Sequence, residues 1–167
     1  MNLILVRHAI AEDREDFAKK NLEDSLRPLT LKGRKKMIKV LDWVSPHLGD
    51  VDMIVSSPYL RAMQTAEIVQ SYWNKIKVDE ASELVPHSVP RAFMKWLQAH
   101  AADKKNVIAV GHDPHLSLFL SYLLATKNES FIELKKSGIA VVELNSFSQI
   151  ETTPAQLLWL VQPKLVE

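Results

Sequence analysis

Apolar residues along the chain fall into short continuous runs separated by longer stretches with helical spacing. Leu3-Ile4-Leu5-Val6, behind Asn2, is such a run and ends at Arg7-His8, the pattern of a strand buried on both faces of a parallel sheet. Met53-Ile54-Val55 and Asn106 to Val110 repeat it, Ile76-Lys77-Val78 is a weaker third strand, and the runs Ile139 to Leu144 and Leu157 to Val161 come last. Between them, Thr30 offers an N-cap to a helix buried through Met37, Val40, Leu41 and Val44, which Ser45-Pro46 is expected to stop. Ser57 is expected to cap a second helix, with Pro58 at its first position and Leu60, Met63, Ala66, Val69 and Trp73 inward. A third starts near Pro90 with Phe93, Trp96 and Leu97 inward, and a fourth at Pro114 with Leu116, Phe119, Leu120, Leu123 and Leu124 inward. Glu12 to Arg27 is charged and aperiodic and reads as a surface excursion.

Strand and helix alternate, with two strands at the end. This order predicts an α/β three-layer sandwich, a mostly parallel central sheet of about six strands with helices on both faces. No repeat, low-complexity tract or linker divides the chain, so one domain over residues 1–167 is expected.

Composition narrows the chemistry. The 167 residues, 47% hydrophobic and 25% charged, include four glycines and no cysteine. Thiolate nucleophiles, thiolate metal sites, disulfides and redox switches are thereby excluded. Gly33, Gly49, Gly111 and Gly138 are too scattered for a dinucleotide or P-loop phosphate turn. Lys plus Arg total 21 against 20 Asp plus Glu, so no global field marks a nucleic acid or membrane as partner. With no basic leader before the first apolar run and no run of bilayer length, a cytoplasmic protein is expected.

In open α/β sheets, sites form at the carboxyl ends of the strands. The first strand delivers Arg7 and His8 there, the second Arg61 one turn into its helix, the third Glu83, and the fourth His112 with Asp113. Arginine presents a permanently charged fork of donors that matches phosphate oxygens. Two arginines and two histidines therefore describe an anion site for a phosphoryl group. Without cysteine, a neutral imidazole is the best available nucleophile toward phosphorus, and it can carry the phosphoryl group as a phosphohistidine. His112, Asp113 and His115 could alternatively hold a metal, although two nearby arginines would repel a divalent cation. His47 and His100 read as solvated helix caps, the four tryptophans Trp43, Trp73, Trp96 and Trp159 as packing, and Lys32, Arg34, Lys35, Lys36 and Lys39 as the wet face of a helix.

Leu5-Val6-Arg7-His8-Ala9 resembles the signature of the histidine phosphatase (phosphoglycerate mutase-like) superfamily. The stretch Ser57-Pro58-Tyr59-Leu60-Arg61-Ala62-Met63-Gln64-Thr65-Ala66 resembles its second motif, and Gly111-His112 its third. Arg27-Pro28-Leu29-Thr30-Leu31-Lys32-Gly33-Arg34 further resembles the SixA-type branch of protein phosphohistidine phosphatases. The resemblance implies His8 as nucleophile, with Arg7, Arg61 and His112 binding the phosphate. It implies no metal or other cofactor, and a phosphorylated protein substrate such as a histidine-containing phosphotransfer domain. Relatives usually carry glycine after the nucleophile, so Ala9 is expected to bring a methyl group near the phosphate pocket. Glu83 stands near the place of a catalytic glutamate in many relatives and ranks first as general acid, with Asp113 the alternative.

The weak acid signal favours P–N over ester cleavage, because an imidazole protonated on its distal nitrogen leaves more readily than an alkoxide. Between Arg61 and His112 there is room for one strand, one loop and one helix, hence no large lid insertion. An open site of this kind suits a phosphorylated side chain presented by another protein. A monomer is expected. The alternatives are a phosphomonoesterase acting on a small metabolite and a phosphate-binding module without turnover.

Overall fold

Side-chain alternation along each strand decides how the layers assemble. Leu3 and Leu5 of β1 (Asn2–Arg7) face one side, with Val107 and Ala109 of β4 (Asn106–Gly111) and Ala140 and Val142 of β5 (Ile139–Glu143). Their neighbours Ile4, Val6, Ile108, Val110, Ile139 and Val141 face the other. On the first side pack α4 (Pro90–His100) and α5 (His115–Ala125), through Phe93, Leu97, Leu116 and Phe119. On the second pack α2 (Leu31–Leu48) and α3 (Leu60–Gln70), through Met37, Val40, Ala62 and Ala66. A strand buried on both faces needs apolar residues at consecutive positions, which is why these strands read as unbroken apolar runs.

The computed structural model describes residues 1–150 and 153–166. Its sheet has six strands in the order β3-β2-β4-β1-β5-β6, with β2 at Met53–Ser56, β3 at Val78–Glu80 and β6 at Gln156–Val161. β4 runs parallel to both β1 and β2, β2 runs parallel to β3, and β5 is antiparallel to its neighbours β1 and β6. The expected α/β architecture is therefore present. No helix among the described residues is long and apolar enough to cross a membrane.

Several boundaries differ from expectation. α2 continues through Pro46 to Leu48 and stops at Gly49, whose φ of 67° lies in the left-handed region. Proline in the final turn removes only one backbone bond, whereas a left-handed glycine redirects the chain. β3 begins at Val78 rather than Ile76 because Val78 is the residue paired with Ile54 of β2. Trp73 lies beyond the end of α3 and donates its indole N–H to the Gly49 carbonyl. Trp43 is 49% exposed instead of packed, and it lies against His47, whose Nδ1 sits 2.9 Å from the Trp43 carbonyl oxygen.

The excursion from Glu12 to Arg27 is ordered. It holds the short helix α1 (Arg14–Ala18), capped by Asp13 and anchored by buried Phe17, and a 3-10 turn at Asp24–Leu26. An antiparallel bridge between Ala11 and Leu29 closes its base. Gly33 allows α2 to lie against this base, since a Cβ there would meet the Ile10 carbonyl oxygen at 2.1 Å.

Candidate active site

Strand register brings the site together. Arg7 at the end of β1 pairs with Gly111 at the end of β4, and Ser56 at the end of β2 pairs with Val110. One residue further on, His8, His112 and Ser57 emerge side by side at the carboxyl edge of the sheet. The His8 amide donates to the Gly111 carbonyl, and the Ser57 amide donates to that of Val110. The His8 and His112 ring centroids are 5.0 Å apart. Both rings line a cleft of about 500 Å³ together with Arg7, Arg61, Arg27 and Asp113.

Hydrogen bonds assign the tautomers. His8 Nδ1 lies 2.6 Å from the Ala9 carbonyl oxygen, which can only accept, so Nδ1 carries the proton and Nε2 keeps its lone pair. The basic nitrogen of the ring is therefore Nε2. Ser57 Oγ accepts from the Tyr59 amide at 3.4 Å and lies 2.8 Å from His112 Nε2. With Ser57 donating to Nε2, the proton of His112 sits on Nδ1.

Burial pushes the His8 imidazole down to about 3, with Arg61, Arg7 and Lys136 adding to the effect. Burial also holds His112 far below the ordinary histidine range, helped by His8 and Arg61. Both rings are thus neutral at physiological pH. His115 is pushed down to about 4 by burial.

These shifts make stability depend on pH. Each native value lies below that of the unfolded chain, so below pH 6.5 protons bind the unfolded state first. The contribution is complete above pH 6.5 and is lost as the pH falls toward the native values. Stability should drop by up to about 1.4 kcal/mol per pH unit for each buried histidine. Denaturation midpoints measured from pH 7.5 to 4.5 test this; a midpoint unchanged down to pH 5 would refute it.

The arginines are held by fixed partners. Arg7 donates through one terminal nitrogen to the Leu134 carbonyl at 2.6 Å and to Asp113 at 3.3 Å. Arg61, 1% exposed, donates to the Asp24 carbonyl at 2.7 Å and pairs with the Asp24 carboxylate at 3.0 Å. Arg27 donates to the same carboxylate at 2.8 Å and to the Glu12 carbonyl. Burial alone would raise the Asp24 carboxyl, but the Arg27, Arg61 and Arg14 guanidiniums hold it below its usual range. Arg7 Nε, Arg61 Nε and His112 Nδ1 remain buried without a hydrogen-bond partner among the described residues. Orphaned buried polar atoms are rare in folded proteins, and these three belong to residues that line one cleft.

The structure therefore brings Arg7, His8, Arg61, His112 and Asp113 to one cleft. Glu83 is not among the residues that line it. The 3-10 turn Ser82–Leu84 buries Leu84 in the core, and with three residues per turn its neighbour Glu83 points elsewhere, accepting from Ser82 Oγ. Pro86 reaches the cleft wall in its place. Ala9 also departs from expectation: its methyl group is buried in the core layer with α2 and α3, and Ala9 does not line the cleft. His115 is buried between Phe93 and Phe119, away from the cleft lining, so it does not join His112 and Asp113.

Several contributors to the cleft carry no signature of that role in the sequence. Ser57, expected as a helix cap, instead orients His112, and α3 starts at Leu60 after Tyr59. Thr65 accepts from the Ala9 amide at 3.1 Å and so pins the loop that follows His8 to α3. Arg27, Asp24 and Lys136 come from segments that look like surface. The one sequence signal was Arg27 itself, a charged residue placed directly before the Pro28 that closes the excursion.

Comparison with known proteins agrees with this geometry. The family described as histidine phosphatase superfamily (branch 1) matches residues 3–86. An uncharacterized protein of Picosynechococcus is 33% identical over 98% of this chain and 98% of its own. The phosphohistidine phosphatase SixA of Escherichia coli is 28% identical, over 75% of this chain and 73% of its own. A solved structure of the protein histidine phosphatase SixA complexed with tungstate covers 100% of both chains with a TM-score of 0.80 at 23% identity. Sheet order, paired histidines, arginine-lined cleft and sequence similarity converge: the chain belongs to the histidine phosphatase superfamily, branch 1.

Proposed function

We propose that this phosphatase removes the phosphoryl group from a phosphorylated histidine of a protein, such as a histidine-containing phosphotransfer domain, through a covalent intermediate on His8. His8 Nε2 attacks phosphorus as the P–N bond to the substrate breaks, and the departing imidazole, already protonated on its distal nitrogen, keeps the bond electrons and leaves neutral. Water then attacks the phosphoryl group on His8, releasing inorganic phosphate and restoring the imidazole. Arg7, Arg61 and His112 hold the equatorial oxygens, where charge spreads during transfer. No step calls for a metal, and the cationic cleft disfavours one.

The observation that carries the reading is the state of the carboxyl groups. Asp113 is bound to Arg7 and accepts from Ser117 Oγ. Asp13 caps α1, and Glu12 pairs with Lys20. Glu83 lies outside the cleft lining. An alkoxide leaving group needs a proton donor in place, whereas an imidazole whose distal nitrogen is protonated does not. A cleft whose carboxylates all have partners suits P–N cleavage. Between α3 and β4 the chain contains β3, one 3-10 turn and α4, which leaves the site open to a side chain carried by another protein.

Steady-state assays with EDTA present, on phosphohistidine peptides and on a panel of phosphomonoesters, test the assignment. The expected kcat/KM for phosphohistidine exceeds that for esters by about 100-fold or more, the scale of a general-acid contribution. A preference for esters would overturn it, and a single burst of phosphate without steady turnover would indicate a binding module.

A further inference from the structure

Three grooves adjoin on one side of the molecule, and basic residues line each of them. The catalytic cleft shares Arg7, Ile10 and Lys136 with a second groove, of about 700 Å³, that also contains Lys164 and Lys135, the latter paired with Glu133. The second groove shares Lys36 with a third, lined by Lys32, Lys35 and Lys39 of α2 and by Leu31. Lys32, Lys35, Lys36 and Lys39 recur at helical spacing and form one stripe, while Arg34 belongs to a different groove beside Tyr72. The chain as a whole balances 21 basic against 20 acidic residues, so this stripe is a local asymmetry leading away from the nucleophile.

The arrangement opposes the stability of the helix that bears it. Like charges three and four residues apart repel, and Lys32 lies in the first turn, where the helix dipole disfavours cations. That turn holds no acidic residue. An external anion that neutralises the stripe removes both penalties. Leu31, 79% exposed, stands in the same groove and gives it an apolar contact that a protein surface can cover. The grooves present no aromatic side chain other than the catalytic histidines among the described residues, so they lack the stacking platform of single-stranded nucleic-acid binders.

We propose that the lysine stripe on α2 is a docking track for an acidic surface on the protein that carries the phosphorylated side chain. Carboxylates of the partner lie along Lys32, Lys35 and Lys39 while its phosphoryl group enters the cleft. The proposal rests on the phosphohistidine reading only for the identity of that phosphoryl group.

The test uses the full chain and K32Q/K35Q/K39Q, a variant that relieves repulsion within α2 and leaves every cleft residue in place. Its probes are an unphosphorylated glutamate-rich helical peptide, a single-stranded RNA and phosphatidylserine vesicles. The peptide is expected to bind the native chain, more weakly as salt is added, and to bind the variant about tenfold more weakly, as for three exposed ion pairs. A phosphohistidine peptide flanked by glutamates should lose about the same factor in kcat/KM, with turnover of free phosphohistidine unchanged. Equal peptide binding by both proteins would overturn the proposal, as would lysine-dependent binding of the RNA or the vesicles in place of the peptide. Failure to turn over free phosphohistidine bears on the catalytic reading alone, since the unphosphorylated peptide reports on the track alone.

Discussion

Replacing His8 with alanine is expected to lower turnover by about 10⁴-fold or more, on the scale seen when a nucleophile is removed from an enzyme. It should also abolish the phosphoryl label that rapid quench traps on the native chain. Such a label is acid-labile and alkali-stable, as a phosphorylated imidazole must be. The geometry leaves no substitute: His112 Nε2 is occupied by Ser57, its Nδ1 bears the proton, and His115 lies outside the cleft lining. A label of native intensity on His8→Ala would remove His8 from the mechanism. Because the native ring is buried and neutral, its loss should not lower stability at acid pH by the titration route, which separates a chemical effect from misfolding.

Replacing Arg61 with alanine is expected to lower kcat by about 10²- to 10³-fold, the magnitude associated with losing one preorganised donor to a transition-state oxyanion. Lysine at this position should restore little, because an ammonium group cannot reproduce the guanidinium fork that spans Asp24 and the cleft. The expected signature is a fall in kcat with a smaller change in KM, since charge on the equatorial oxygens spreads most during transfer. The fold should survive, because the Asp24 carboxylate still has Arg27 at 2.8 Å and Arg14 at 3.8 Å. A variant in which only KM rises would reassign Arg61 to ground-state binding.

Both predictions rest on residues that are legible in the chain itself, and the reason is local. Arg7-His8 directly succeeds a strand whose apolar run is unmistakable, and Gly111-His112 stands in the same relation to another. Apolar residues at consecutive positions betray doubly buried strands, and residues just past the carboxyl ends of such strands must lie at one edge of a parallel sheet. The positions of Arg7, His8, Arg61 and His112 were thus readable, together with the layers that carry them. The exclusion of thiol chemistry was equally complete, because it depends on composition alone.

Other features depend on contacts between distant segments, to which local pattern is blind. Ser57 has the form of a helix cap and becomes the orienter of His112 only because β2 and β4 are neighbours in the sheet. Asp24 and Arg27 sit in a charged stretch without periodicity. The bridge from Ala11 to Leu29 and the anchor of Phe17 fold that stretch against Arg61, making it a wall of the cleft. Glu83 shows the converse, since a carboxylate at a suggestive place in the chain is turned from the cleft by the burial of Leu84 beside it. Which residues stand at the ends of the strands can be read along the chain, because periodicity and apolar runs are local properties of it. Which buried donors lack a partner, which carboxylates are already paired and which lysines share one groove emerge only on folding. Each of these is a relation between residues far apart in sequence that exists only once the strands have found their order.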